Sequence, residues 1–318
     1  MQNYIEQQLK RLNWDIAPQQ LYQPIGYALE SGGKRIRPQL VLMGCELFGG
    51  TRNAALPAAL AIEVFHNFTL LHDDIMDNAD MRRGRPTVHR KWNDNTAILS
   101  GDAMMIKAYE LLEQLPEKQL AQILPLFTKT ALQVCEGQQF DVNLELCEEA
   151  TMNEYFEMIR LKTAVLLAAA LKMGALVAGA NESDAQRLYD FGIDIGIAFQ
   201  LRDDYLDTFG NADTFGKRIG GDIVCGKKTF LLITALNNAD AAQRQMLKQT
   251  IADKQLNEAE KIAIVTKFYQ QFGADKACEN AIGERYQQAL NHLERITGHK
   301  NDKKPLAELA AKLMGRNL

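Results

Sequence analysis

Cysteine, proline and tryptophan are sparse in this 318-residue chain, and the first two shortages exclude particular architectures. The five cysteines, Cys45, Cys135, Cys147, Cys225 and Cys278, are scattered and form no CxxC pair. That argues against a disulfide framework and a zinc site, and it fits a reducing cytoplasm. Eight prolines leave residues 126–304 with none, so long helices are permitted there. No stretch sustains the two-residue alternation of a half-buried strand. Neither a GxxxxGK[ST] loop nor a strand-linked GxGxxG occurs, which weakens nucleotide-binding folds. A net charge of -4 gives no global attraction to nucleic acid or anionic lipid. The opening MQNYIEQQLK lacks the apolar core of a signal peptide, and the most apolar stretch, residues 163–180, is interrupted by Lys172. That stretch is expected to be a buried core helix, and no stable membrane insertion is expected.

What is present is helical periodicity. Apolar residues recur at three- and four-residue spacing in AILSGDAMMIKAYELLEQL, EKIAIVTKFYQQF and IGERYQQALNHLERI, which predicts an all-α fold. Thr151 and Glu154 have capping-box spacing, and Asn93 or Asn95 is placed to cap another helix. No linker or low-complexity tract divides the chain, so one domain over 1–318 is expected. Residues 209–228 hold five glycines, at 210, 216, 220, 221 and 226, which predicts a mobile loop.

Charge is concentrated at two places. In FHNFTLLHDDIMD the apolar spacing runs to Met76, so Asp73, Asp74 and Asp77 sit in the last turns of a helix. Carboxylates lose roughly 0.3–1 kcal/mol at that end. Two of them ~5 Å apart repel by roughly 3 kcal/mol at an effective dielectric near 20. The pattern returns in FQLRDDYLDTFG, where Asp203, Asp204 and Asp207 close a helix ahead of Gly210, with Gln200 one turn earlier. Hard oxygen ligands without cysteine or histidine select Mg²⁺, which completes its shell with phosphate oxygens and water. Lys34, Arg35 and Arg37 follow paired glycines, and Arg82, Arg83 and Arg85 lie just beyond the first acidic cluster. Guanidinium forks favour phosphate. Together these features imply a site for metal-chelated diphosphates, and two basic sets suggest two of them.

In order, spacing and residue type, GGKRIRP, LLHDDIMDNADMRRGRPTVH, Gly101–Asp102, LKTA, FQLRDDYLD and FGKRIGGDI resemble the trans-prenyl diphosphate synthase family, whose members condense isopentenyl diphosphate head-to-tail with an allylic diphosphate. The resemblance implies a bundle of mostly antiparallel helices around a central cavity, usually in a homodimer. It implies that Lys34, Arg37, His66 and Arg83 bind isopentenyl diphosphate, and that Arg82, Lys162 and Lys217 bind the allylic diphosphate. Three Mg²⁺ ions, with Mn²⁺ as a substitute, would be held chiefly by Asp73, Asp77 and Asp203 within the two aspartate clusters. Thr163 and Gln200 would face the developing allylic cation. The loop at 210–226 would close over the site with Lys217. The chain reads GKKTFLLI where many members have a proline after the threonine, and the first cluster lacks the two-residue insertion of many bacterial farnesyl synthases.

Product length is the open variable. Along the first aspartate helix Phe68 lies ~7.5 Å and Phe65 ~12 Å from Asp73. In the family an aromatic five residues before the first aspartate limits elongation; here that is Phe68, beside the small Thr69. A short product is expected, geranylgeranyl ahead of farnesyl diphosphate, with either ring as the floor. The alternatives are a longer-chain synthase, a non-catalytic partner subunit, a terpene cyclase and a diphosphate hydrolase of another class.

Overall fold

Six of the described helices start at a side-chain cap that the sequence supplies, and the apolar faces that follow decide what each helix buries. The computed structural model describes residues 1–210 and 219–315. Among these, regular structure is helical apart from one two-residue ribbon, so the all-α class holds. The chain forms two compact units, one from Met1–Thr128, Ala169–Leu188 and Ile296–Asp302, the other from Lys129–Ala168, Tyr189–Arg295 and residues from Lys303 on.

The first unit contains α1 (Gln2–Leu9), α2 (Gln19–Leu29), α3 (Ile36–Leu47), α4 (Arg52–Met76), β1 (Met81–Arg82), β2 (Arg85–Pro86), α5 (Val88–Lys91) and α6 (Asp94–Leu112). α4 is its centre and packs most extensively on α6 and α3. Its start is fixed by Thr51, whose hydroxyl accepts from the Ala54 amide at 3.3 Å. Of the two asparagines open to cap α6, Asn93 does so, accepting from the Thr96 amide at 2.8 Å. By length and composition α4 is the one described helix apolar enough to cross a membrane, but 67% of its most apolar window is buried within the fold. It is a core helix here.

α7 (Glu117–Leu146) contributes to both units. The second unit continues with α8 (Met152–Ile159), a π-helical turn (Arg160–Ala164), the start of α9 (Val165–Val177) and most of α10 (Glu182–Phe209). α11 (Gly221–Cys225), α12 (Phe230–Asn238), α13 (Ala241–Ala252), α14 (Glu258–Gln271), α15 (Ala274–Glu294) and α16 (Lys304–Leu313) follow. The capping box at α8 forms as its spacing predicts, with Thr151 and Glu154 exchanging side-chain and backbone bonds. In residues 163–180 every position from Ala164 to Leu171 is buried, as expected of a core helix, and Lys172 turns out to Glu182 at 2.7 Å. The loop expected over 209–228 is not a loop throughout. Gly221–Cys225 is a helical turn between Gly220 and Gly226, both at positive φ, because the buried Ile223 gives it a core contact. Lys217 lies outside the described residues.

Candidate active site

The change from helix to ribbon after α4 sorts the first set of charges. α4 ends at Met76 with Asp77 as its C-cap, so the three aspartates occupy its negative end as the sequence implies. Asp74 is buried and holds Arg82 through Nε and Nη2, each at 2.7 Å. Burial pushes its carboxyl up while Arg82 pulls it back. Asp73 is half-buried and Asp77 exposed. β1 and β2 pair across Arg83 and Gly84, both at positive φ (52° and 76°), a two-residue turn that matches ribbon twist. Consecutive arginines therefore part company. Arg82 goes to Asp74, and Arg83 reaches the Gly32 carbonyl and the Ser31 hydroxyl.

Arg83 thereby joins Lys34, Arg37 and His66 around a cavity of about 430 Å³. The four residues assigned to one diphosphate by resemblance thus meet in one place. Arg37 Nη1 donates to His66 Nε2 at 3.0 Å. Arginine cannot accept, so His66 carries its proton on Nδ1. Burial, reinforced by Arg37 and Arg83, holds the imidazole well below its ordinary pKa, and burial lowers Arg37 to about 10. The Arg37 Nε is buried without a partner, a donor left for an anion. Two members of the basic sets do other work. Arg35 is buried in ion pairs to Glu6 at 2.7 Å and Glu63 at 2.6 Å, and Arg85 lies 4.0 Å over the Tyr27 ring. The buried acid Glu63, which gave no sequence signal, anchors this corner.

In the second unit, α10 presents Gln200, Asp203, Asp204 and Asp207 at helical spacing. Asp204 is buried, accepting from the Tyr155 hydroxyl at 2.7 Å and from Gln200 Nε2 at 2.9 Å. Gln200 Oε1 accepts from the Thr163 hydroxyl at 3.2 Å. Lys162 pairs with Asp141 at 2.5 Å. Lys162 and Thr163 both sit in the π-helical turn, a local widening that is frequent at functional sites. Gly137 of α7 explains how that turn is accommodated: a Cβ there would collide with the Lys162 backbone amide and the Leu161 carbonyl carbon. Lys227 is the centre of charge. Burial works against its ammonium, but Asp204, Asp222, Asp141 and Asp203 outweigh burial and raise its pKa. Burial also pushes Asp222 up to about 7 despite Lys227, and the Asp222 amide donates to Asp207 Oδ2 at 3.0 Å.

The model of the polyprenyl synthetase family matches residues 18–268. The chain belongs to that family. It is 43% identical over 220 residues to a geranylgeranyl diphosphate synthase of Methanosarcina mazei, covering 69% of this chain and 68% of that one. A crystal structure of a geranylgeranyl pyrophosphate synthase superposes with a TM-score of 0.94 at 45% identity, covering 99% and 98% of the two chains. That of the Corynebacterium glutamicum enzyme, complexed with isoprenyl diphosphate and magnesium, superposes at 0.87 with 30% identity and covers 99% and 97%. This polyprenyl synthetase is accordingly a short-chain head-to-tail prenyltransferase.

The donor set of the synthase fits a divalent metal. Among the described residues no group of three or more histidine, cysteine or acidic side chains is gathered tightly enough to hold an ion by itself. The two aspartate motifs offer hard carboxylate oxygens with no sulfur or imidazole, and those suit Mg²⁺, which usually takes one or two carboxylates and fills its shell with phosphate oxygens and water. Lys227, Asp222, Tyr155, Asp141 and Gly137 escaped the sequence reading, although Asp222 lies within FGKRIGGDI and Lys227 within GKKTFLLI. Phe65 and Phe68 prove to be parts of one aromatic cluster of tilted and edge-to-face rings: Phe68 meets His72 at 4.9 Å and Phe65 at 5.4 Å, and Phe65 meets Phe127 at 5.3 Å.

The low pKa of His66 has a stability consequence with a defined sign. An unfolded histidine takes up a proton near pH 6.5, while folded His66 stays neutral to lower pH. Its contribution is therefore complete above about 6.5 and is lost as pH falls toward the folded value, by at most ~1.4 kcal/mol per pH unit. His66→Gln should flatten the decline in stability between pH 6.5 and 5 in urea unfolding. An unchanged slope would contradict a neutral imidazole accepting from Arg37.

Proposed function

We propose that the enzyme condenses isopentenyl diphosphate with dimethylallyl, geranyl or farnesyl diphosphate and releases chiefly geranylgeranyl diphosphate. The observation that carries this reading is the cationic cavity of Lys34, Arg37, His66 and Arg83, with its buried unpartnered Arg37 Nε. That cavity takes the isopentenyl diphosphate. The outer aspartates of each motif, Asp73 and Asp77 and then Asp203 with Asp207, hold the metal ions, three by resemblance to the family, with Mn²⁺ as a substitute. Asp74, bonded to Arg82, and Asp204, bonded to Tyr155 and Gln200, are the two of the six that are buried, and they act as positioning residues.

When bound, the divalent ions supply charge that stabilises a departing diphosphate. The chain's own groups do the rest. Lys162, Lys227 and Arg82, with Lys217 by resemblance to the family, add positive charge against the leaving group. Thr163 and Gln200 hold each other so that an oxygen dipole faces the allylic carbon as it becomes cationic. Neutral His66 and Arg37 orient the second diphosphate so that its double bond attacks that carbon. The proton then lost goes to the departed diphosphate, since the motifs supply no obvious general base. Apolar walls exclude water that would quench the cation. Incorporation of radiolabelled isopentenyl diphosphate with and without an allylic primer, and after chelation of metal, tests the reading. Incorporation independent of primer or of metal would overturn it.

The aromatic cluster at Phe68, Phe65 and Phe127 is the proposed floor for the growing chain, with Thr69 leaving room beside Phe68. Phe68→Ala is expected to lengthen the main product by at least one five-carbon unit, read by chromatography of the dephosphorylated alcohols. Phe65→Ala, one ring deeper, should lengthen it by a smaller fraction. An unaltered distribution in both variants would remove the cluster as the ruler. A homodimer is supported by the exposed Leu99 (59%) and Ile106 (63%), seven residues apart on α6. The protein acts in the cytoplasm in this reading, and no nucleic acid partner or membrane insertion enters it.

A further inference from the structure

A second cavity, of about 580 Å³, lies within the second unit, and its lining includes none of the residues assigned to the reaction. Its apolar part is made by Leu232 and Ile233 of α12 and Ile251 of α13. Five cationic side chains and two glutamates complete it. Arg244, Lys248 and Ile251 fall at i, i+4 and i+7, so one face of α13 carries both charge and apolar surface. Lys248 is paired with Glu149 at 2.5 Å. Arg244 donates through Nε to the Leu236 carbonyl at 3.0 Å, which leaves its Nη groups for another acceptor. Lys261 is the most telling of the five. It is only 7% exposed, and its Nζ donates to the Ile251 carbonyl at 2.8 Å. That single neutral acceptor leaves the ammonium with further donors for an anion in the cavity.

We propose that this cavity binds a prenyl diphosphate as a regulatory ligand, the diphosphate at Arg244, Lys254 and Lys261 and the apolar chain against Leu232, Ile233 and Ile251. The connection to catalysis is a single short segment. Val224, Cys225, Gly226 and Lys228 face the cavity, whereas Lys227 between them is held among Asp204 and Asp222. The Lys227 amide donates to the Asp222 carbonyl at 2.9 Å, and its carbonyl accepts from the Thr229 amide at 2.9 Å. Gly226, at φ +67°, abuts Ile251. A ligand that displaces Ile251 therefore acts on Gly226, the residue directly before Lys227. This step rests on the role proposed above for Lys227; the binding itself does not.

Calorimetric titration of the full chain in EDTA separates the two, because metal-dependent diphosphate binding at the aspartates is then suppressed. Geranyl diphosphate is expected to bind, with inorganic diphosphate and geraniol each at least tenfold weaker. The double variant Arg244→Glu, Lys254→Glu, altered at exposed positions, should weaken that binding at least tenfold while keeping prenyl transfer at low substrate concentration. Arg37→Ala should leave it intact, which excludes the isopentenyl cavity as its location. With metal present, inhibition by excess geranyl diphosphate should be relieved in the double variant. Absence of binding to the native chain, or equal binding to the double variant, overturns the site. Inorganic diphosphate binding as tightly as geranyl diphosphate overturns the prenyl assignment. Transfer activity without metal-free binding would sink this inference alone, and metal-free binding without transfer would sink the proposed reaction alone.

Discussion

Asp73→Ala and Asp203→Ala are each expected to lower turnover about a thousandfold or more, with the protein still folded. Asp73 lies half-buried in the last turn of α4, where its charge is unfavourable to the helix, and Asp203 lies half-buried on α10 among the like charges of Asp204 and Asp207, so loss of either charge should leave the fold intact. The expected effect lies in the transition state. The departing diphosphate gains negative charge, and an ion lost from its surroundings removes stabilisation only as that charge develops. A deficit of ~4 kcal/mol corresponds to about a thousandfold in rate. Steady-state assays beside circular dichroism check both halves. Near-normal turnover in either variant would remove that aspartate from the metal set, and loss of fold would show a structural role instead. Asp204→Asn is the informative contrast. It keeps an acceptor for Tyr155 and should cost far less activity than Asp203→Ala.

Lys227→Met is expected to have the next largest effect, on both activity and stability. The ammonium is surrounded by Asp204, Asp222, Asp141 and Asp203, which together hold it charged against burial. Removing one partner of a buried charged cluster costs ~3 kcal/mol or more, because the remaining carboxylates are left uncompensated. Asp222, already pushed up to about 7 by burial, loses its main counter-charge and takes up a proton at neutral pH. Turnover should fall about a hundredfold or more, and the Mg²⁺ concentration for half-maximal rate should rise. Lys227→Arg, which keeps the charge, should recover most of the loss in urea stability. Wild-type stability for the methionine variant would mean that Lys227 does not neutralise this cluster.

The contrast between Asp73 and Asp74 shows where sequence reasoning reaches and where it stops. Helical periodicity, the capping signals at Asn93 and Thr151, the run of buried positions in α9 and the placement of both aspartate motifs at helix ends are local properties. Each follows from residues within a few positions of one another, and the sequence alone determined them. The residue types of the site were equally legible, because diphosphate and Mg²⁺ demand guanidinium, ammonium and carboxylate groups whatever the fold. Which carboxylate faces the solvent was not legible. Asp74 and Asp204 have the same chemistry as their neighbours, and only Arg82, brought back by the ribbon, and Tyr155, from another helix, tie them inward. Arg35 was likewise indistinguishable from Arg37 until Glu6 and Glu63 claimed it. Lys227 gave no sequence signal, and its place among four aspartates from three separate segments comes from packing alone. Chain spacing fixes which residues share a helix face. Pairing across segments depends on packing over tens to hundreds of residues, so burial, the ion pairs and the second cationic cavity were decided by tertiary structure alone.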